Sequence, residues 1–274
     1  VARFAAVTLL AVCTAPLLHA TTPPRIVSIN PCVDAVLVRI AQPGQILAIS
    51  HYSQDPDATS IPLEVARRYR ATSGTAEEVV ALAPDVVLSG PHVSPSTIFA
   101  LERMHIRIVK FSVAESIAES EIQIRRIAEV VGAPERGEQI VEEIQRAIEA
   151  ARPRDMRAIP AVIWQGGGMV PGRGSLADEL LGVTGFRNSS ADYGLAKWDV
   201  LPLEYLIASP PQLVLSVGAG VERDRMLGHP AVRELAKRVA FREYPFRLLS
   251  CGGPTIIEAV TRLAEVRKTL EAPQ

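Results

Sequence analysis

The feature that most constrains this chain is a unit that occurs twice. Residues Glu77–Ser89 and Glu204–Ser216 align without a gap: a glutamate, a proline seven positions on and a serine five beyond that match in both copies. Each copy reads as a short helix, a proline stop and a strand of continuous apolar residues. Proline commonly follows a helix end, and an uninterrupted β-branched run marks a strand covered on both faces. Such a strand needs helices above and below its sheet, so two copies predict two related α/β lobes.

The remaining pattern fits that division. Arg25–Asn30, Gln45–Ser50, Asp85–Ser89 and Arg107–Phe111 read as strands, with helices over Pro31–Ala41 and near Ser96–Met104. From Ala114 to Ala151 strand signal is almost absent. Ile117, Ile122, Ile124, Ile127, Val130 and Val131 recur at mostly helical intervals. Ile140, Val141, Ile144 and Ile148 do so again after Gly132-Ala133-Pro134. Alternation resumes with strands at Ile159–Trp164, Leu213–Val217 and Arg247–Ser250, and ends in a helix from about Thr255 to Leu270. The expected fold is α/β: two lobes, each a mainly parallel sheet flanked by helices, joined by one long, broken interlobe helix.

The first twenty residues stand apart. Arg3, the apolar run Phe4–Val12 and a small residue at Ala20 follow the order of a secretory signal peptide, and the run is too short to span a bilayer. Val12 before Cys13 disfavours a lipoprotein reading. The expected organisation is a signal peptide at 1–20, an N-terminal lobe at 21–113, an interlobe linker at 114–151 and a C-terminal lobe at 152–274. Cleavage near Ala20 would release the protein into the periplasm.

Composition excludes several functions. Lys+Arg (29) and Asp+Glu (30) nearly balance and form no basic stripe, so nucleic acid is not an expected partner. No later apolar run is long enough to span a membrane, so the mature chain is expected to be soluble; a monomer is expected. Gly172-Arg173-Gly174-Ser175 is not a hydrolase nucleophile elbow, and Asn30-Pro31-Cys32 stands where a dinucleotide fingerprint would place its glycines. No metal motif occurs, and no catalytic residue, resident metal or cofactor is expected. A secreted α/β enzyme is the less favoured alternative.

Ligands of open α/β sheets sit beyond the carboxyl ends of the strands. Here those ends are Asn30-Pro31-Cys32, Ser50-His51-Tyr52, Ser89-Gly90-Pro91-His92, Trp164-Gln165-Gly166-Gly167-Gly168 and Cys251-Gly252-Gly253-Pro254. Candidate ligand-binding residues are therefore Tyr52, His51, His92, Trp164, Gly166, Gly167, Trp198, Gly252 and Gly253. If the strand before them runs on, only one of His51 and Tyr52 faces the cleft. Trp164 and Trp198 are read as cleft contacts, with core packing as the other reading. Glycine-loop amides would meet polar ligand edges. Cys32 and Cys251 fall on facing loops; two free buried thiols are the expectation, with a cross-cleft disulfide as the alternative.

This order of parts resembles the periplasmic binding proteins of importers for cobalamin, ferric siderophores and heme. Arg25–Pro31 is similar to that family's opening strand and turn, Ala48–Ser53 to its second strand, and Glu77–Leu88 and Glu204–Leu215 to its paired units. The resemblance spans essentially the whole mature chain. It implies that Glu77 and Glu204 dock on an inner-membrane permease, that Tyr52 and Trp198 face the ligand, and that the ligand is a bulky metal chelate. The pattern departs from the cobalamin-binding member at Ala71 and Gly90, where that protein has cleft tryptophans, and at Thr255, where it has a basic residue. Which chelate binds stays open, as does a metal-ion or small-solute sensor of the same fold. For Glu77 a local explanation also exists: acidic residues favour a helix's first turn, and Thr75 with Glu78 forms a capping box.

Overall fold

The computed structural model describes residues 23–155, 157–195, 197–217 and 226–271. The expected signal peptide lies outside the described residues.

The first sheet contains β1 (Ile26–Ser28), β2 (Ile46–Ser50), β3 (Ala71–Thr72), β4 (Val86–Ser89) and β5 (Arg107–Lys110). They pair in the order β3-β2-β1-β4-β5, all parallel. The central strands β1 and β4 are buried along their whole length, as continuous apolar runs require. Four helices connect the strands: α1 (Pro31–Ile40), α2 (Leu63–Ala66), α3 (Ala76–Ala81) and α4 (Pro95–Arg103). Helix α1 starts abruptly because the Asn30 side chain accepts from the Cys32 amide and Pro31 fills the first position.

The divider is a pair of helices, α5 (Ile117–Val131) and α6 (Pro134–Ala151). Gly132 adopts a left-handed conformation (φ 77°) that ends α5, and Pro134 opens α6. The two run antiparallel, since Arg125 bonds Glu138 and Gln145 bonds Glu121. Ile124, Ile127, Val131, Ile140, Ile144 and Ile148 bury into one apolar core. That core also takes Val36 and Leu37 of α1, Ile163 of the second sheet, and Val260 and Leu263 of the last helix. The divider is thus a spine against which both lobes pack.

The second sheet comprises β6 (Ile159–Gln165), β7 (Met169–Pro171), β8 (Phe186–Asn188), β9 (Trp198–Val200), β10 (Leu213–Val217) and β11 (Ala240–Tyr244). The order is β11-β10-β6-β7-β9, with β8 pairing β6; β8, β10 and β11 are parallel to their neighbours, and β7 and β9 antiparallel. Its helices are α7 (Leu176–Val183), α8 (Leu203–Ala208), α9 (Pro230–Leu235) and α10 (Thr255–Glu271). The repeated unit occupies equivalent places: α3 leads into β4 beside β1, and α8 leads into β10 beside β6. The strand expected at Arg247–Ser250 is a correction. Strand β11 precedes it, and Pro245, lacking an N–H, ends the ladder before a 3-10 turn at Phe246–Leu248.

Candidate ligand-binding site

A cavity of about 560 Å³ opens at the carboxyl edge of the first sheet. Its floor comes from the turns that follow the five strands: Asn30 and Pro31, Ser50 to Tyr52, Thr72 to Thr75, Gly90 to Ser94, and Ser112 to Ala114. Ser120, Gln123, Ile124 and Ile127 of α5 form one wall. The second lobe contributes Phe246 and Ser250 to Gly253. Parallel strands place all their carboxyl ends on one edge, so five loops scattered in sequence converge there.

His51 and Tyr52 both line this cavity, which corrects the expectation that only one of them does. Strict alternation holds only while the chain is extended. Here β2 stops at Ser50, and His51–Gln54 coils into a 3-10 turn that stacks the two rings with centroids 4.1 Å apart. Tyr52 lines the cavity with its ring 51% exposed. The His51 Nδ1 lies 3.2 Å from the Thr72 carbonyl, and since that oxygen only accepts, Nδ1 is the donor.

This turn is held from below by a residue the sequence reading passed over. Asp34 is fully buried in α1, and one of its carboxylate oxygens accepts from the Ser50 amide (2.9 Å) and the Ser53 hydroxyl (2.6 Å). Burial pushes its pKa up to about 7, opposed by the nearby hydroxyls of Ser28 and Ser53 and the Ser50 amide. Its other carboxylate oxygen has no partner. An acidic residue four places into an amphipathic helix is a common surface pattern, so sequence alone gave no signal.

His92, Gly252 and Gly253 also line the cavity. Gly252 is required by close approach, since a Cβ there would stand 2.7 Å from the Ser120 hydroxyl. Gly253 donates its amide to that same hydroxyl at 2.7 Å.

The remaining candidates lie elsewhere. Trp164 is 0% exposed and packs with Val170, Leu201 and Leu206, so its assignment as a cleft contact is corrected to a core residue. Gly166 and Gly167 form an exposed turn between β6 and β7 and do not line the cavity. Trp198 is 44% exposed on β9, at the end of the sheet order, and is not among the lining residues. Lys197 beside it pairs with Glu115 at the start of the spine.

The thiol expectation is also overturned. Cys32 and Cys251 form a disulfide, with Cα atoms 5.1 Å apart, joining the first turn of α1 to the loop before α10 across the cavity wall. The shared spine brings those two loops within bonding distance, which their separation of 219 residues in the chain concealed.

Glu77 and Glu204 are both exposed, each the second residue of its helix. Thr75 accepts from the Glu78 amide, but Glu78 reaches past Thr75 to the Thr72 hydroxyl and the Ser73 amide (both 2.8 Å). Those bonds, the Thr72 one foremost, hold the Glu78 pKa below its usual range. Glu77 therefore remains outside the capping arrangement.

Two lobes on a helical spine, with a cavity where their loops meet, define a solute-binding architecture. A family model described as periplasmic binding protein matches residues 26–237, and the chain belongs to that family. Solved structures agree in fold. The periplasmic heme-binding protein RhuT of Roseiflexus sp. RS-1 superposes with a TM-score of 0.73 at 20% identity, covering 89% of this chain and 97% of that one. The periplasmic heme-binding protein HutB of Vibrio cholerae gives 0.72 at 19%, covering 91% and 99%. The periplasmic vitamin B12-binding protein BtuF of Vibrio cholerae gives 0.71 at 16%, covering 92% and 99%. No curated protein matches the chain in sequence. Among the described residues, no helix is long and apolar enough to cross a membrane.

Proposed function

We propose that this chain is the ligand-capturing component of an ABC importer, exported by its first twenty residues. It takes up a bulky metal chelate of the cobalamin, ferric siderophore or heme kind and delivers it unchanged to an inner-membrane permease. The observation that carries this reading is the cavity at the carboxyl edge of the first sheet, roofed by the Ser250–Gly253 loop of the second lobe. Tyr52, His51 and His92 offer aromatic and imidazole contacts to such a cargo.

Delivery requires a surface that reports both lobes at once. Glu77 and Glu204, at equivalent positions of the two repeated units, supply one charge per lobe for basic partners on the permease. The test is the double variant Glu77→Lys/Glu204→Lys. Uptake by cells is expected to disappear while affinity of the purified protein for its chelate stays within about twofold. Loss of affinity together with uptake would show that these residues serve the cavity instead.

A further inference from the structure

The roof of the cavity is tied to its floor by a covalent bond. Cys32 stands in the first turn of α1 and Cys251 in the loop between β11 and α10; they form the disulfide, and both line the cavity. The two sides of this bond rest on different parts of the spine. Helix α1 packs on α5, whereas α10, into which the roof loop leads, packs on α6 and α7. The bridge thus closes the third side of a triangle whose other two sides are helix packing.

The roof loop is poorly suited to hold a shape by itself. Gly252 and Gly253 lose more freedom on ordering than any other residue type, and Gly253 takes a left-handed conformation (φ 70°). Neither can be exchanged for a stiffer residue without a clash. An added Cβ would stand 2.7 Å from the Ser120 hydroxyl at Gly252, and 3.0 Å from a Val36 methyl at Gly253. The hydrogen bond from the Gly253 amide to Ser120 is a neutral one, and such bonds contribute modestly in net terms. Close contact therefore demands glycines, and glycines make a free loop costly to order. A ligand meeting a free loop would have to supply that ordering; a bond formed beforehand removes the cost from binding.

We propose that Cys32 and Cys251 are positioning residues for ligand capture. Their bridge holds the Ser250–Gly253 loop in its binding position before the ligand arrives, so affinity depends on the bond itself rather than on contacts of the sulfur atoms. This rests on the reading of the chain as a chelate-binding protein.

The test begins with calorimetric titration of the full chain with cyanocobalamin, hemin and a neutral ferric trihydroxamate. The probe that the oxidised form binds most tightly is carried forward. The reduced form is made with a dithiol, freed of it under argon and checked for native secondary structure by circular dichroism. It keeps both sulfurs and lacks only their bond. Its affinity should be about tenfold lower, through faster dissociation, and reoxidation should restore it. Cys32→Ser/Cys251→Ser should match the reduced form. Unchanged affinity on reduction overturns the proposal and leaves the binding-protein reading intact. A loss confined to the serine variant also overturns it, by assigning the effect to sulfur contacts. Failure of all three probes to bind the oxidised form removes the parent reading and this one with it.

A second measurement needs neither reduction nor a variant. In the oxidised chain without ligand, the Gly253 amide should exchange its hydrogen about tenfold or more slowly than in an unstructured peptide of the same sequence. Adding the ligand should change that rate by less than about twofold. A loop that becomes protected only when ligand is bound overturns the proposal, whatever the reduced form does.

Discussion

The leading strands of the two sheets end differently, and the difference decides where the cavity opens. Strand β1 stops after three residues, and the chain turns at once into α1, leaving open space above the sheet edge. Strand β6 runs for seven residues and folds back through Gly166–Gly168 into the antiparallel β7, which pairs with β9. That added antiparallel pair covers the edge of the second sheet and encloses Trp164 with Val170 and Leu201. Two lobes built on one repeated unit are therefore unequal at the site: among the described residues the first supplies most of the cavity, and the second supplies Phe246, the Ser250–Gly253 loop and half of a disulfide.

Aromatic substitutions in each lobe probe that inequality most directly. Trp164→Ala should destabilise the fold by about 3–5 kcal/mol, read as a lowered denaturation midpoint. Binding by whatever fraction stays folded should be little changed; a Trp164 variant that folds normally but loses its ligand would restore the symmetrical site. Removing the link between the lobes comes next. Cys32→Ser/Cys251→Ser should lower stability by about 2–5 kcal/mol in thermal or chemical unfolding, and an unchanged midpoint would mean that the bridge does not constrain the unfolded chain.

Within the first lobe, Tyr52→Ala should weaken chelate affinity about tenfold with stability nearly unchanged, because half of the ring is already in solvent. Trp198→Ala should have less effect on affinity than Tyr52→Ala. The reverse ranking by calorimetry would move the centre of the site to the second lobe.

The smallest effect concerns the support beneath Tyr52. The folded Asp34 holds its proton up to about pH 7, whereas an unfolded aspartate releases it near about pH 4. Between those values the native state binds more protons, so its stability falls as pH rises, by at most about 1.4 kcal/mol per unit from this group. Asp34→Asn should flatten that slope, measured as unfolding free energy at several pH values; an unaltered slope would place the titration elsewhere.

Local periodicity and the placement of proline and glycine were enough to reveal the repeating units, the helical divider and the sheet edge on which the cavity opens. The sequence by itself also placed His51, Tyr52, His92, Gly252 and Gly253 on loops that do line the cavity. Only the tertiary structure decided the rest. Trp164 sits at a strand end that reads like any other until a returning strand covers it. Asp34 resembles a surface acid until α1 lays it beneath the Ser50–Ser53 turn, and the two cysteines become partners only when the spine brings distant loops together. The physical reason is common to all three: burial and pairing depend on what another part of the chain brings alongside, and a one-dimensional pattern records only what each segment does by itself.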